Sequence, residues 1–253
     1  LRNTSISSLD ALVKLKDTLR LLDLYGTRTD DAALEAIGTF GLCFIGAGSI
    51  VLDAKLNGGV GLIGIALAHG LILSVMISAL GGVSGGHFNP AVTIGFFVTK
   101  RQRVGESISY IISQLIGAVI AGLLLRATYE PAVWQKVNLG PPMLGSGVGF
   151  GTGILIEIVL TFFLVISIWG TAVDDRKPNI GGFGIGLTIA ADILMGGPLT
   201  GASMNPARTF GPAVAGGGFE NHLVYWIGPI IGAVFVTYMH TALSGFSQGW
   251  ILY

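Results

Sequence analysis

Two stretches of the chain join asparagine to proline and alanine. SGGHFNPAVT at 84–93 holds Asn89-Pro90-Ala91, and TGASMNPART at 200–209 holds Asn205-Pro206-Ala207 with Arg208 directly after. Asparagine is a favoured helix N-cap, and proline suits the first helical position, where it has no needed N–H to lose. Each box therefore starts a helix and exposes the partly positive end of its dipole. The apolar runs that follow, 90–99 and 206–215, are about half of the roughly 20 residues a membrane span needs. Helices that begin at membrane depth are tolerated only when buried in protein or lining a cavity. Arg208 lies in the same apolar setting, where a charge is costly and usually functional.

The elements that must carry these boxes are membrane spans. Of the 253 residues 51% are apolar and only 11% charged, with a mean hydropathy of +0.74; a soluble domain carries about 25% charge. Six runs are long and apolar enough to cross a bilayer: roughly 32–52, 60–80, 107–126, 152–171, 182–198 and 223–244. Lysines and arginines set their orientation. Ten lie on one side: Arg2, Lys14, Lys16, Arg20, Arg28, Lys100, Arg101, Arg103, Arg176 and Lys177. The other side has Lys55, Arg126 and Lys136. An even number of spans puts both termini on the basic side, which is expected to be cytoplasmic. Segment 7–24 repeats Leu12, Leu15, Leu19 and Leu22 at helical spacing and reads as an amphipathic helix lying on the membrane. A formal net charge of zero gives no footprint for nucleic acid. Cys43, the single cysteine, lacks a partner for an intramolecular disulfide or a zinc site and reads as a small core residue.

The chain repeats itself. The two boxes align at an offset of 116 residues, Glu35 before GTFGL matches Glu157 before TFFLV, and LIGAVIAG at 115–122 echoes WIGPIIGA at 226–233. Each copy holds three spans and one half-helix. Three is odd, so the second copy is inserted upside down relative to the first. Inverted repeats place a functional site near the midplane, where broken helices meet. The expected fold is thus an all-α membrane protein with six transmembrane helices and two re-entrant half-helices. An N-terminal segment 1–31 precedes a channel domain 32–245, made of repeats 32–126 and 150–245, and a tail 246–253 follows.

On these residues the sequence resembles an aquaporin of the major intrinsic protein family, over about residues 32–245. The resemblance implies a passive water pore, with Asn89 and Asn205 donating to water at the central constriction. It makes Arg208 the guanidinium of a narrow outer filter, and by spacing it assigns His69, Ile193 and Ala202 to the same filter. His-Ile-Ala-Arg is similar to the tonoplast-type, ammonia-permeable members, so water is expected with some ammonia, hydrogen peroxide or urea. Glycerol conduction is disfavoured: glycerol facilitators carry Asp after the Arg, whereas Thr209 stands here, and Tyr225-Trp226 opens the last span. Some members carry Cys where Ala202 stands, so resistance to mercurials at the filter is expected. The resemblance also implies a homotetramer with one pore per subunit.

Glu35 and Glu157 are buried acids related by the repeat, expected to accept hydrogen bonds from irregular backbone before each half-helix. Asp192 has no match in the other copy; it reaches water at the end of the fifth span or pairs with a group near the filter. His87, two before Asn89, lines a vestibule or makes a structural hydrogen bond. Gly117-x-x-x-Ala121 and Gly228-x-x-x-Gly232 permit close helix contacts. No nucleophile–base set, phosphate loop or metal cluster stands out, so neither an enzyme nor a cofactor or metal is expected. The expected partners are water, small neutral solutes and the lipid bilayer. The alternatives are a glycerol or small-solute facilitator and an inverted-repeat secondary transporter; the latter needs ion-coupling acids at the helix breaks, and neither box has one adjacent.

Overall fold

The computed structural model describes residues 29–174 and 177–249, with backbone alone for 29 and 243–249. Asp30 and Asp31 in its first turn favour the start of α1 (Thr29–Lys55). Asp53 near its end accepts the N–H groups of Val60 and Gly61, at 3.0 and 2.8 Å, and so caps the start of α2 (Gly61–Ser84). Gly85 ends α2 in the left-handed region at φ 86°, its N–H reaching Gly81. Then come the half-helix α3 (Pro90–Val98) and α4 (Val104–Thr128), whose Glu106 accepts the Arg103 N–H at 3.1 Å. After the short α5 (Pro131–Trp134) comes α6 (Phe150–Ile168), continued by a π turn at Trp169–Val173. Next is α7 (Phe183–Thr200), which Gly201 ends at φ 80°, as Gly85 ends α2. The second half-helix α8 (Pro206–Gly216) and α9 (Val224–Gly249) complete the chain.

Six of these helices are long and apolar enough to cross a membrane, in the order expected. The last helix runs to Gly249, past the 245 boundary expected for the channel domain, so the start of the expected tail is helical. The amphipathic helix expected at 7–24 lies outside the described residues.

The packing obeys the repeat. α1 packs on α4 as α6 packs on α9, α1 on α2 as α6 on α7, and α2 crosses α7 at the centre. Small residues set the close crossings. A Cβ at Gly228 would come within 2.6 Å of Glu157 Cβ, and one at Gly232 would meet the Ile158 carbonyl. A Cβ at Gly117 would meet the Ala36 backbone, so both small-residue pairs do bring helices together. Each half-helix is held mainly by the third span of the opposite copy: α3 by α9, and α8 by α4. The carbonyl ends are held the same way. Arg126 of α4 donates to Ala215 O at 2.9 Å, and Tyr238 of α9 reaches Val98 O at 3.4 Å.

Candidate functional site

The two half-helices begin as their sequence dictates. Asn89 and Asn205 are extended N-caps whose Oδ1 atoms accept the N–H of Ala91 at 2.9 Å and of Ala207 at 3.0 Å. Asn205 Oδ1 also takes the Arg208 N–H at 3.3 Å. The amide nitrogens cross between the copies: Asn89 Nδ2 donates to Met204 O at 2.8 Å and Asn205 Nδ2 to Phe88 O at 2.9 Å. Each Nδ2 carries two hydrogens, so each asparagine keeps one donor for the pore. Ala91 and Ala207 are wholly buried behind the caps.

The loops entering the boxes are strained and then pinned. Phe88 and Met204, equivalent in the repeat, sit in the left-handed region at φ 47° and 52°, and Ala202 at 44° where the first copy has Gly86. Non-glycine residues hold such angles only when their surroundings over-determine them. Here the buried acids do so. Glu35 accepts the N–H of His87 and Phe88 at 2.9 and 2.6 Å, the Ser84 hydroxyl at 2.9 Å and Gln114 Nε2 at 2.8 Å. Glu157 accepts the N–H of Ser203 and Met204 at 2.9 and 2.7 Å and the Thr200 hydroxyl at 2.7 Å. Tyr110 and Tyr225 complete each set by donating to Ser84 O and Thr200 O. The two acids thus hold the irregular backbone before each half-helix. The supporting residues Ser84, Thr200, Phe88, Met204 and Tyr110 escaped sequence reasoning, although Ser84/Thr200 and Phe88/Met204 recur at the repeat offset and could have been found by it.

His69, Ile193, Ala202 and Arg208 come together along one narrow cavity with both asparagines, His87 and apolar walls that include Leu73 and Ile189. Its volume is about 20 Å³, and a single water needs roughly 10–15 Å³. Toward the basic face it opens into a vestibule of about 720 Å³ lined by His87, Phe96, Lys177 and Asn179, among others. His87 lines the cavity, and its Nδ1 lies 3.1 Å from Thr93 Oγ1 while its ring stacks on Phe96 at 4.6 Å.

Arg208 is 3% exposed and His69 2%. His69 Nδ1 lies 2.8 Å from Ile65 O, which fixes the tautomer: Nδ1–H donates there and Nε2 is left to accept. Arg208 donates to that Nε2 from Nε at 3.3 Å and from Nη2 at 3.1 Å, and from Nη1 to Gly140 O at 3.1 Å. A guanidinium has five N–H groups, so two remain for a permeant. Gly140 was not foreseen. It ends a left-handed run, with Asn138 at φ 48°, Leu139 at 64° and Gly140 at 75°, that aims its carbonyl at the filter. Among the described residues no carboxylate lies within ion-pair distance of Arg208. Gly46 makes room for the imidazole, since a Cβ there would lie 2.6 Å from His69 Nε2.

Asp192 requires a correction. It neither ends the span nor meets a filter group. It lies midway along α7, 6% exposed, with Oδ2 buried and unpartnered. Successive helix positions point about 100° apart, so Ile193 faces the pore while Asp192 turns to an outer groove between α6 and α7, beside Val159 and Phe163.

The chain has recognisable relatives over most of its length. A family model described as Major intrinsic protein matches residues 28–240. Aquaporin TIP4-4 of Zea mays is 47% identical over 208 residues, 78% of this chain and 80% of that one. Probable aquaporin TIP3-2 of Arabidopsis thaliana is 44% identical over 211 residues, 78% of this chain and 77% of that one. In fold, the chain is similar to the X-ray structure of the aquaglyceroporin from Plasmodium falciparum, with a TM-score of 0.75 and 22% identity over 85% of this chain and 96% of that one.

Proposed function

The chain belongs to the major intrinsic protein family, and from that premise we propose that it is a passive water channel that excludes protons and ions and also passes ammonia, with hydrogen peroxide and urea as further permeants. The observation that carries the reading is the single narrow cavity holding two amide donors at the half-helix ends and a buried guanidinium at the filter. A water at the centre accepts from the free N–H groups of Asn89 and Asn205. Its own hydrogens then point away along the pore in both directions, so no proton can be relayed through it. Two opposed half-helix dipoles and the fixed charge of Arg208 repel cations, the general device of aquaporin-type pores. Six helices cross the membrane, and both termini lie on the cytoplasmic side by the excess of Lys and Arg there. The functional unit is a homotetramer with one pore per subunit.

The ammonia reading rests on Ile193 and Ala202, which give the filter apolar walls opposite Arg208 and His69. With the imidazole turned to Arg208, the filter offers few polar partners beyond the two spare N–H groups. Such a wall favours small, weakly hydrated neutral solutes over glycerol. Stopped-flow light scattering on proteoliposomes, with water, glycerol and ammonia compared against empty vesicles, tests all three. Water flux with a low activation energy is expected, with ammonia above the empty-vesicle rate and glycerol near it. Saturable, ion-dependent uptake would favour a transporter instead, and ammonia flux equal to that of empty vesicles would remove the extension.

A further inference from the structure

The turn between α3 and α4 carries three cations in four residues, Lys100, Arg101 and Arg103, all exposed. They line a groove of about 560 Å³ together with Phe97 and Val104, which are 37% and 57% exposed. Glu106 is the only acid lining the groove, and one of its oxygens takes the Arg103 N–H at the start of α4. Among the described residues, none of the three cations lies in an ion pair. The turn is rigid. Lys100 is held in the left-handed region at φ 61°, its N–H donates to Phe97 O at 2.9 Å, and the Arg101 N–H donates to Phe96 O at 3.0 Å. The Arg101 guanidinium is seated 4.6 Å over the Trp169 ring. The turn backbone and the Arg101 guanidinium are therefore placed before any ligand arrives, which lowers the ordering cost of binding.

Depth in the membrane selects the ligand. Val104 opens a spanning helix and Phe97 lies in the last turn of a half-helix that ends on the same face. The groove thus sits where headgroup gives way to acyl chain, with charge outward and bare apolar side chains inward. We propose that this groove binds the phosphate headgroup of an anionic membrane lipid, with Lys100, Arg101 and Arg103 on the phosphate and Phe97 and Val104 against the upper acyl chain. A soluble phosphate would use the cations and leave the apolar rim in contact with water, so the lipid is the better match.

Native mass spectrometry of the full chain in detergent, titrated with dioctanoyl phosphatidic acid, dioctanoyl phosphatidylcholine or inorganic phosphate, tests the assignment. Phosphatidic acid should bind more tightly than phosphatidylcholine, and inorganic phosphate should not displace it at equal concentration. Juxtamembrane cations each contribute roughly a fivefold factor toward anionic lipid. Lys100→Gln with Arg103→Gln should therefore weaken phosphatidic acid binding by about 25-fold, while Lys136→Gln on the opposite face should leave it unchanged. Water flux in the double variant should equal the wild type, which shows that the fold is intact. A double variant that binds phosphatidic acid like the wild type, a wild type with no preference for the anionic lipid, or equal competition by inorganic phosphate would each overturn the assignment.

Discussion

Replacing Glu157 by glutamine changes few atoms and should damage the channel badly. The carboxylate accepts three donors, the N–H of Ser203, the N–H of Met204 and the Thr200 hydroxyl, at 2.7 to 2.9 Å and with no exposure to solvent. Hydrogen bonds to a charged group contribute roughly 1.5–3 kcal/mol and neutral ones roughly 0.5–1.5 kcal/mol. An amide oxygen can keep two of the donors as neutral bonds, each weaker by about 1–1.5 kcal/mol. Its NH2 group then faces the Met204 N–H, and leaving that buried donor unpaired costs about 1–3 kcal/mol more. The sum is about 3–6 kcal/mol, which at roughly 2–4 °C per kcal/mol for a chain of this size lowers the melting temperature by at least about 6 °C. Flux should fall too, because Met204 is held at φ 52° and its carbonyl carries the Asn89 amide. The assay is a thermal melt of purified protein beside water flux per incorporated pore. A Glu157→Gln protein that melts within about 2 °C of the wild type at equal flux would refute the reasoning, since it would mean that the carboxyl carries no charge to lose.

Arg208→Ala frees His69 Nε2 and Gly140 O and removes the filter charge; water flux should persist while a pH-sensitive dye in the vesicles reports a new proton leak. Gly46→Ala forces the imidazole away from Arg208, so water flux should fall severalfold although the residue touches no permeant; unchanged flux would show that the His69 position does not matter. Asn89→Ala loses the Ala91 cap and the bond to Met204 O; the cap alone contributes about 0.5–2 kcal/mol, and a melt should show at least that loss. His222, just before α9, packs against Phe219 at 4.9 Å, and burial holds its pKa below the ordinary histidine value. The unfolded chain then binds the extra proton, so stability is fully present above about pH 6.5 and is lost as pH falls from there through the lower folded value. The melting temperature should drop between pH 8 and 5, less steeply in His222→Phe.

The half-helices and the pore centre were legible because they are written in local chemistry. Asn-Pro supplies an N-cap and a first helical residue, and two such pairs in phase within a three-span repeat leave few other placements. Glu35 and Glu157 were legible for the same reason, as charges too costly to bury without a task. The Gly140 carbonyl was not, because backbone has no residue signature and the run from Asn138 to Gly140 reads as an ordinary loop. Nor was the aim of Asp192. The expected span 182–198 lies close to the observed helix and already places residue 192 inside it; the rotation about the axis, which decides the neighbour it meets, is what the span left open.

The exchange of supports between the copies also bears on how the chain is made. When residues up to about 130 have left the ribosome, α3 has neither α9 beside it nor Met204 for Asn89 to reach. The first half-helix therefore lacks its main packing partner until the last span is inserted, while Glu35 of its own copy already holds its entry loop. α8 faces no such delay, since α4 and Arg126 are already in place when it emerges. The central constriction is closed only when the C-terminal span arrives, so truncation before α9 should yield a chain that inserts but holds no continuous pore.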